Sequence, residues 1–198
     1  DPMDATIPCL VSDLRVKEER LTVILPRNVT ERRTMFLSNI DQKFVHYIQQ
    51  YVHFFSAHPQ IPFGMVVDVQ TEALSRILDS YDFISGRLRF NSEEGRFEID
   101  SNAAGAPVAV CSSELSLEDL GDVSYPNPAF TQLCLLSDSA NRILEDDPLI
   151  SFQITRFRCG GFALGTALNH SVMDGFPLQE FARNFTNMVT KGELAFVP

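Results

Sequence analysis

The sequence has few cysteines, no long apolar run and no cluster of basic residues. None of its apolar runs approaches the roughly 20 residues that a membrane-spanning helix needs, which excludes such a span within these 198 residues. No basic segment at the start leads into the apolar core of a signal peptide. We therefore expect a cytoplasmic protein.

The cysteine pattern points in the same direction. The four cysteines are far apart and form no C-x-x-C pair, so we expect reduced thiols rather than disulfides or a metal site: Cys9, Cys111, Cys134 and Cys159. Three N-x-[ST] sequons begin at Asn28, Asn169 and Asn184. A glycan on Asn169 or Asn184 would disrupt the elements predicted below, so we interpret the sequons as chance matches.

Charge and missing motifs exclude several function classes. The net charge is −10, and lysine and arginine are not clustered, which argues against nucleic acid as a partner. Neither a phosphate-binding loop nor a dinucleotide fingerprint occurs, and a G-x-S-x-G nucleophile motif is also missing. No H-E-x-x-H or other closely spaced ligand set predicts a metal site. The glycine-rich stretch 160–165 leads into a strand and is therefore expected to be a turn.

The apolar residues, 44% of the chain, are enough for one substantial core. Helical periodicity predicts helices at Met65–Tyr81 and Pro177–Thr190, the second closed by Gly192. Residues 121–147 are predicted to be a loop. Shorter apolar segments predict strands at Leu21–Leu25, Val45–Phe55, Gly86–Phe90, Arg96–Asp100, Val108–Cys111, Leu149–Phe157 and Phe162–Asn169. The order of elements predicts one α/β domain with helices packed on a mixed sheet.

One titratable residue is placed where chemistry is expected. His170 follows the strand predicted to end at Asn169, and an aspartate and a glycine come next, at Asp174 and Gly175. A histidine at a strand end can hold its imidazole in a cleft, where it can accept a proton near neutral pH. Gly175 is expected to let the backbone turn sharply before the last helix. The alternative is a structural histidine in an ordinary soluble α/β domain.

Several segments, in order along the chain, resemble the BAHD acyl-CoA-dependent acyltransferases of plants. The resemblance covers nearly the whole chain, although the final helix lacks the tryptophan that the family often has near its end. The matching segments are L-S-N-I-D-Q at 37–42, Y-D-F-I-S-G-R-L at 81–88, G-R-F-E-I-D at 95–100, the strand pair from Pro148 to Gly165, and H-x-x-x-D-G at 170–175.

The resemblance implies a fold and a mechanism. The family has two similar domains of the chloramphenicol-acetyltransferase type, with the active site in a channel between them. It implies that His170 is the general base and that no acyl-enzyme forms, with acyl-CoA as co-substrate and no tightly bound cofactor. It also implies that Asp174 is structural and pairs with an arginine of the other half, although i,i+4 spacing on a helix would place it beside His170.

The resemblance further implies an acceptor pocket. Candidate residues are Ser38 and three residues of the segment that departs from the family pattern T-P-x-V-x-F-[FY], namely Gln49, Tyr51 and His53. We expect transfer of a hydroxycinnamoyl, other aromatic or fatty acyl group to an alcohol or amine, in plant secondary or surface-lipid metabolism.

The length of the chain matches only the N-terminal half of such an enzyme, a single domain over 1–198. The C-terminal half, as the same or a second polypeptide, is then the expected partner, and the isolated half is expected to be inactive. Two alternatives are a non-catalytic BAHD-like adaptor that binds a partner or an acyl chain, and the condensation domain of peptide synthetases. The latter usually has a second histidine where Asn169 stands.

Overall fold

A computed structural model describes residues 10–137 and 143–198, so Cys9 and part of the predicted 121–147 loop lie outside the described residues. In these ranges there are two α-helices, α1 (Phe63–Ile77) and α2 (Gly175–Lys191), and neither is long and apolar enough to cross a membrane. Eight strands complete the regular structure: β1 (Val16–Ile24), β2 (Thr34–Phe36), β3 (Ile48–Phe55), β4 (Arg87–Asn91), β5 (Arg96–Asp100), β6 (Ala106–Ser113), β7 (Ile150–Arg156) and β8 (Phe162–Asn169).

Five strands form a mixed sheet in the order β1-β6-β7-β8-β3. The β6–β7 pair is parallel and the other neighbouring pairs are antiparallel. The predicted hairpin of β7 and β8 is confirmed, since the two strands pair from Ile150 opposite Leu168 to Arg156 opposite Phe162. At its turn, Gly160 has a φ of +85°, a backbone conformation that favours glycine.

The β4–β5 hairpin lies in a second, antiparallel sheet of order β2-β5-β4 rather than in the mixed sheet. Its apolar side chains pack on a small cluster of their own, which contains Leu37, Leu88 and Ile99. The alternate residues of β5 carry charge and pair with arginines outside the cluster. The predicted α/β class is confirmed, and the separate apolar cluster explains why the strands divide between two sheets.

Both helices pack on one face of the five-stranded sheet. Leu74 of α1 and Phe185 of α2 belong to one core with Ile154 of β7. The opposite face is covered by a 3₁₀ helix at Pro128–Leu133. This helix lies within residues 121–147, which were predicted from the sequence to be a loop without regular structure. Asn127 caps this helix by accepting a hydrogen bond from the amide N of Ala129 at 2.9 Å.

The boundaries of the two helices differ slightly from those predicted. α1 begins two residues before Met65, because Pro62 stands in the extended N-cap position. α2 begins at Gly175, so Pro177 is its third residue and not its first. A proline is tolerated there because the first four amide groups of a helix need no intrahelical acceptor. The predicted end of α2 is confirmed, since Gly192 is a left-handed C-cap with φ +73°.

An ion pair between Arg32 and Asp100 lies at the end of β5 in the three-stranded sheet. The guanidinium of Arg32 donates from Nε to Oδ1 of Asp100 at 2.9 Å and from Nη2 to Oδ2 at 2.6 Å. Only 8% of the Asp100 side chain is exposed, and these hydrogen bonds hold the pKa of its carboxyl below the ordinary value. A carboxyl group whose pKa is lower in the folded than in the unfolded protein stabilises the fold at pH values above its ordinary pKa. This stabilisation is lost as the pH falls through the lowered pKa of the folded state.

We therefore expect Asp100→Asn to lower the Tm at pH 7 by about 2–4 °C. The difference from the wild type should shrink as the wild-type carboxylate becomes protonated in acid. Thermal unfolding followed by circular dichroism between pH 7 and strongly acidic pH measures both effects. Asp68→Asn, at an exposed position on α1, is the matched control and should leave Tm unchanged at every pH. An Asp100→Asn deficit that stays constant with pH would contradict this account.

Candidate active site

The backbone at the end of β8 fixes the position of His170. β8 ends at Asn169, as predicted, and the amide N of His170 donates to the carbonyl O of Tyr47 at 2.8 Å. Residues 170–174 form a turn and not a helix, so the helical i,i+4 geometry that would place Asp174 beside His170 does not occur. The histidine is thus held between the end of β8 and the segment that leads into β3.

The side chain of His170 is partly buried. Nδ1 is buried, and neither ring nitrogen has a hydrogen-bond partner in the described part of the chain. The ring of Phe44 stacks on the imidazole, with centroids 4.6 Å apart and ring planes inclined by 26°. The imidazole therefore presents the unpaired Nε2 from a fixed backbone position, as a proton acceptor requires.

A buried carboxamide ties the two segments around His170 together. Asn169 is 2% exposed, and its Nδ2 donates to the carbonyl O of Val45 at 2.8 Å. Its Oδ1 accepts from the amide N and the Oγ of Ser171, at 3.0 and 2.7 Å. This burial agrees with the interpretation of the sequon at Asn169 as a chance match.

Asn169→Ala would leave the carbonyl of Val45 and the amide of Ser171 buried without these partners. We expect the free energy of unfolding to fall by about 2–3 kcal/mol, since each unpaired buried group costs about 1–3 kcal/mol. Urea unfolding of the variant measures this loss, and the exposed Asn39→Ala serves as control with an expected change within about 0.5 kcal/mol. Equal stability of the two variants would show that the carboxamide does not hold the turn.

Asp174 and Gly175 lie at the exposed start of α2. Asp174 is the N-cap residue, with φ −102° and ψ −161°, and its carboxylate makes no hydrogen bond or ion pair among the described residues. Gly175 has an ordinary negative-φ, helical backbone, so the prediction that it makes a sharp turn is wrong: the chain bends at 170–174, before the glycine. A Cβ built on Gly175 meets no atom within 4 Å.

The structure brings three of the four predicted acceptor-pocket residues to one side of β3. Tyr51 and His53 line a groove of about 400 Å³ between β3 and α2, with Leu178 and Phe181 on the helix side. Gln49 is on the same side by strand alternation and accepts a hydrogen bond from the Tyr51 hydroxyl at 2.8 Å. Burial raises the pKa of Tyr51, which favours the protonated, donating hydroxyl.

This groove does not reach the imidazole in the described structure. Tyr51 lies opposite Thr166, about 10 Å along the strands from the end of β8 where His170 follows. His170 is not among the described residues that line the groove. The groove and His170 lie along the same strand pair, but the described residues form no continuous channel between them.

Ser38 stands apart from the other three residues. It is exposed, and its Oγ accepts hydrogen bonds from the amide N atoms of Ile40 and Asp41 at 3.3 and 3.2 Å. In return, the amide N of Ser38 donates to Oδ2 of Asp41 at 3.0 Å. This reciprocal pair starts the 3₁₀ helix Asp41–Phe44, so the structure places Ser38 in a local turn and not in the groove.

Sequence comparison identifies relatives over almost the whole chain. A profile of the Transferase family matches residues 14–198. Acyltransferase GLAUCE of Arabidopsis thaliana is 41% identical over 192 residues, which are 96% of this chain and 42% of that protein. Anthranilate N-benzoyltransferase protein 1 of Dianthus caryophyllus is 31% identical, over 91% and 42% of the two chains. Omega-hydroxypalmitate O-feruloyl transferase of Arabidopsis thaliana is 30% identical, over 87% and 37%.

Structural comparison agrees with the sequence. Vinorine synthase superposes with a TM-score of 0.75 at 20% identity, over 92% of this chain and 44% of that one. TRI101 of F. sporotrichioides, solved in complex with coenzyme A, has a TM-score of 0.56 at 15% identity, over 83% and 42%. The fold is therefore that of the CoA-dependent acyltransferases of the chloramphenicol-acetyltransferase type. The chain belongs to the Transferase family, that of the BAHD acyltransferases, and spans less than half the length of the relatives it matches.

Proposed function

We propose that the protein transfers an acyl group from acyl-CoA to an alcohol or amine, with His170 as the general base. The observation that carries this proposal is the imidazole at the end of β8, whose two ring nitrogens have no hydrogen-bond partner among the described residues. Nε2 takes the proton of the acceptor O–H or N–H as the acceptor atom attacks the thioester carbonyl. The C–S bond then breaks, and the CoA thiolate leaves with the proton that the imidazole returns.

The same proposal gives Asp174 and Gly175 structural roles at the junction with a C-terminal half. The exposed carboxylate of Asp174 has no partner among the described residues, which supports its pairing with an arginine outside this chain. Phe176 beside it is 71% exposed, as expected for a side chain that another domain covers. We propose that residues 1–198 form one domain of a cytoplasmic enzyme whose site closes only when the second half is present.

The names of relatives guide the choice of donor and acceptor. The name of the anthranilate N-benzoyltransferase describes transfer of a benzoyl group to an amine. The name of the omega-hydroxypalmitate O-feruloyl transferase describes transfer of a feruloyl group to a hydroxy fatty acid. We propose an aromatic donor of the hydroxycinnamoyl kind first and a fatty acyl donor second. Gln49, Tyr51 and His53 are the proposed acceptor-side residues, because they share one side of β3 beside an apolar groove.

A donor and acceptor screen of the full-length protein tests this function. Hydroxycinnamoyl-CoA, benzoyl-CoA and a long-chain acyl-CoA are each incubated with primary alcohols and amines, and the released CoA thiol and the acylated product are measured. We expect product and thiol in equal amounts, and background hydrolysis when the acceptor is omitted. Residues 1–198 alone should give no turnover. Absence of both turnover and CoA binding in the full-length protein would favour the non-catalytic adaptor instead.

A further inference from the structure

The contact between Phe44 and His170 joins two segments that the proposed mechanism leaves unconnected. Their rings are stacked, with centroids 4.6 Å apart, and both side chains are partly buried. Phe44 also meets the ring of Tyr47 edge-on at 5.9 Å. Because the carbonyl of Tyr47 accepts the amide hydrogen of His170, ring and backbone of the histidine contact the same short segment.

We infer that Phe44 is a positioning residue for the general base, an inference that rests on the proposed function. The backbone of His170 is fixed, but in the described part of the chain no hydrogen bond reaches either ring nitrogen. The plane of the imidazole is therefore set by packing, and the described aromatic contact on it is the stack with Phe44. The direction of the Nε2 lone pair follows from that plane, and proton transfer depends on this direction.

Side-chain hydrogen bonds fix the segment that precedes Phe44. Gln42 pairs with the backbone of Phe97 on β5, donating from Nε2 to its carbonyl O at 2.7 Å and accepting from its amide N at 2.9 Å. Ser38 and Asp41 close the start of the 3₁₀ helix by their reciprocal hydrogen bonds. The segment L-S-N-I-D-Q, one of the motifs that carry the family resemblance, thus anchors Phe44 to the three-stranded sheet.

Phe44→Leu removes the aromatic face and keeps an apolar side chain. In the full-length protein we expect kcat to fall by about ten- to a hundredfold, with little change in KM for acyl-CoA. Phe44→Tyr, which keeps the aromatic face, should retain most of the wild-type rate. Phe130→Leu is the matched control, because Phe130 is also partly buried in a 3₁₀ helix and in an aromatic pair, with Phe54. Its kcat should equal that of the wild type.

A second readout does not depend on turnover. The imidazole proton resonances of His170, assigned by their loss in His170→Gln, should move downfield in Phe44→Leu because the ring current of the stacked face is lost. They should not move in Phe130→Leu. Adding Phe44→Leu to His170→Gln should cause no further loss of rate, since the ring acts only through the imidazole.

Ser38 offers a test remote from the rings. If Ser38 serves to hold Phe44, Ser38→Ala lowers kcat a few-fold and leaves KM for the acceptor unchanged, because the lost turn loosens the ring. A rise in KM for the acceptor with kcat unchanged would instead make Ser38 a pocket residue and contradict the anchoring role.

The outcomes separate this inference from the function on which it rests. A Phe44→Leu variant with wild-type kcat, or with unshifted His170 resonances, in a protein that transfers acyl groups overturns the positioning role alone. A wild-type protein that transfers no acyl group to any acceptor overturns the proposed function, and the positioning role with it. A variant that unfolds is replaced by Phe44→Met, with Phe130→Met as its control, under the same criteria.

Discussion

Replacing His170 with glutamine in the full-length protein is expected to lower the kcat of acyl transfer by about 10²- to 10⁴-fold, the range that a positioned general base supplies. Glutamine is close in size and polarity but cannot accept a proton at neutral pH. The stack on Phe44 holds the ring of His170, and the hydrogen bond to Tyr47 holds its backbone. The Asn169 network holds the turn and does not involve the imidazole. The fold should therefore persist while the rate collapses.

The rates of acylated-product formation and thiol release, measured together with CoA binding by calorimetry, check this expectation. The affinity for CoA should be unchanged in His170→Gln, because the proposed role of the imidazole concerns the acceptor proton and not the nucleotide. His58→Gln, at an exposed position on the loop after β3, is the control and should keep the wild-type rate. If His170→Gln keeps most of its rate, the assignment of the base is wrong.

Gly165→Ala should be among the most destabilising single-methyl additions in this chain. A Cβ at Gly165 would lie 1.8 Å from the carbonyl O of Leu133 and 2.8 Å from its carbonyl C. Both are backbone atoms of the 3₁₀ helix that covers the sheet, so a rotamer change cannot relieve the clash. We expect the free energy of unfolding to fall by about 3 kcal/mol or more, at or above the usual cost of overpacking.

Chemical unfolding of the purified domain measures this loss. Gly64→Ala is the matched control, because a Cβ there meets nothing within 4 Å and alanine is the better helix former. Gly165→Ala should therefore lower the free energy of unfolding, and Gly64→Ala should not. A Gly165→Ala variant as stable as the wild type would show that the 3₁₀ helix does not lie against β8 as described.

The local features of the fold could be predicted from sequence, and the contacts that build the site could not. Strand alternation and two glycines give the β7–β8 hairpin, and an apolar stripe closed by Gly192 gives α2. The strand end also places His170. Each of these signals lies within a few residues, which is the distance over which side-chain periodicity and turn chemistry act.

Phe44 was missed because nothing local marks it. Its stack with His170 connects segments far apart in the sequence, and its own segment is anchored through the hydrogen bonds of Gln42 to Phe97 on β5. The 3₁₀ helix at Pro128–Leu133 did have a local signal, the capping pair Asn127-Pro128, which was outweighed by the polar composition around it. The division of the strands between two sheets depends on which apolar cluster each strand covers. The pattern of apolar residues within a strand does not predict which cluster that is.

In the proposed mechanism, Nε2 of His170 takes the proton of the acceptor. The most direct test is a structure of the full-length protein with CoA and a bound acceptor. We expect an acceptor oxygen or nitrogen about 2.6–3.2 Å from Nε2, or joined to it by one water, with the CoA thiol close by. An acceptor bound on the far side of the imidazole, or beyond the reach of one water from Nε2, would contradict it.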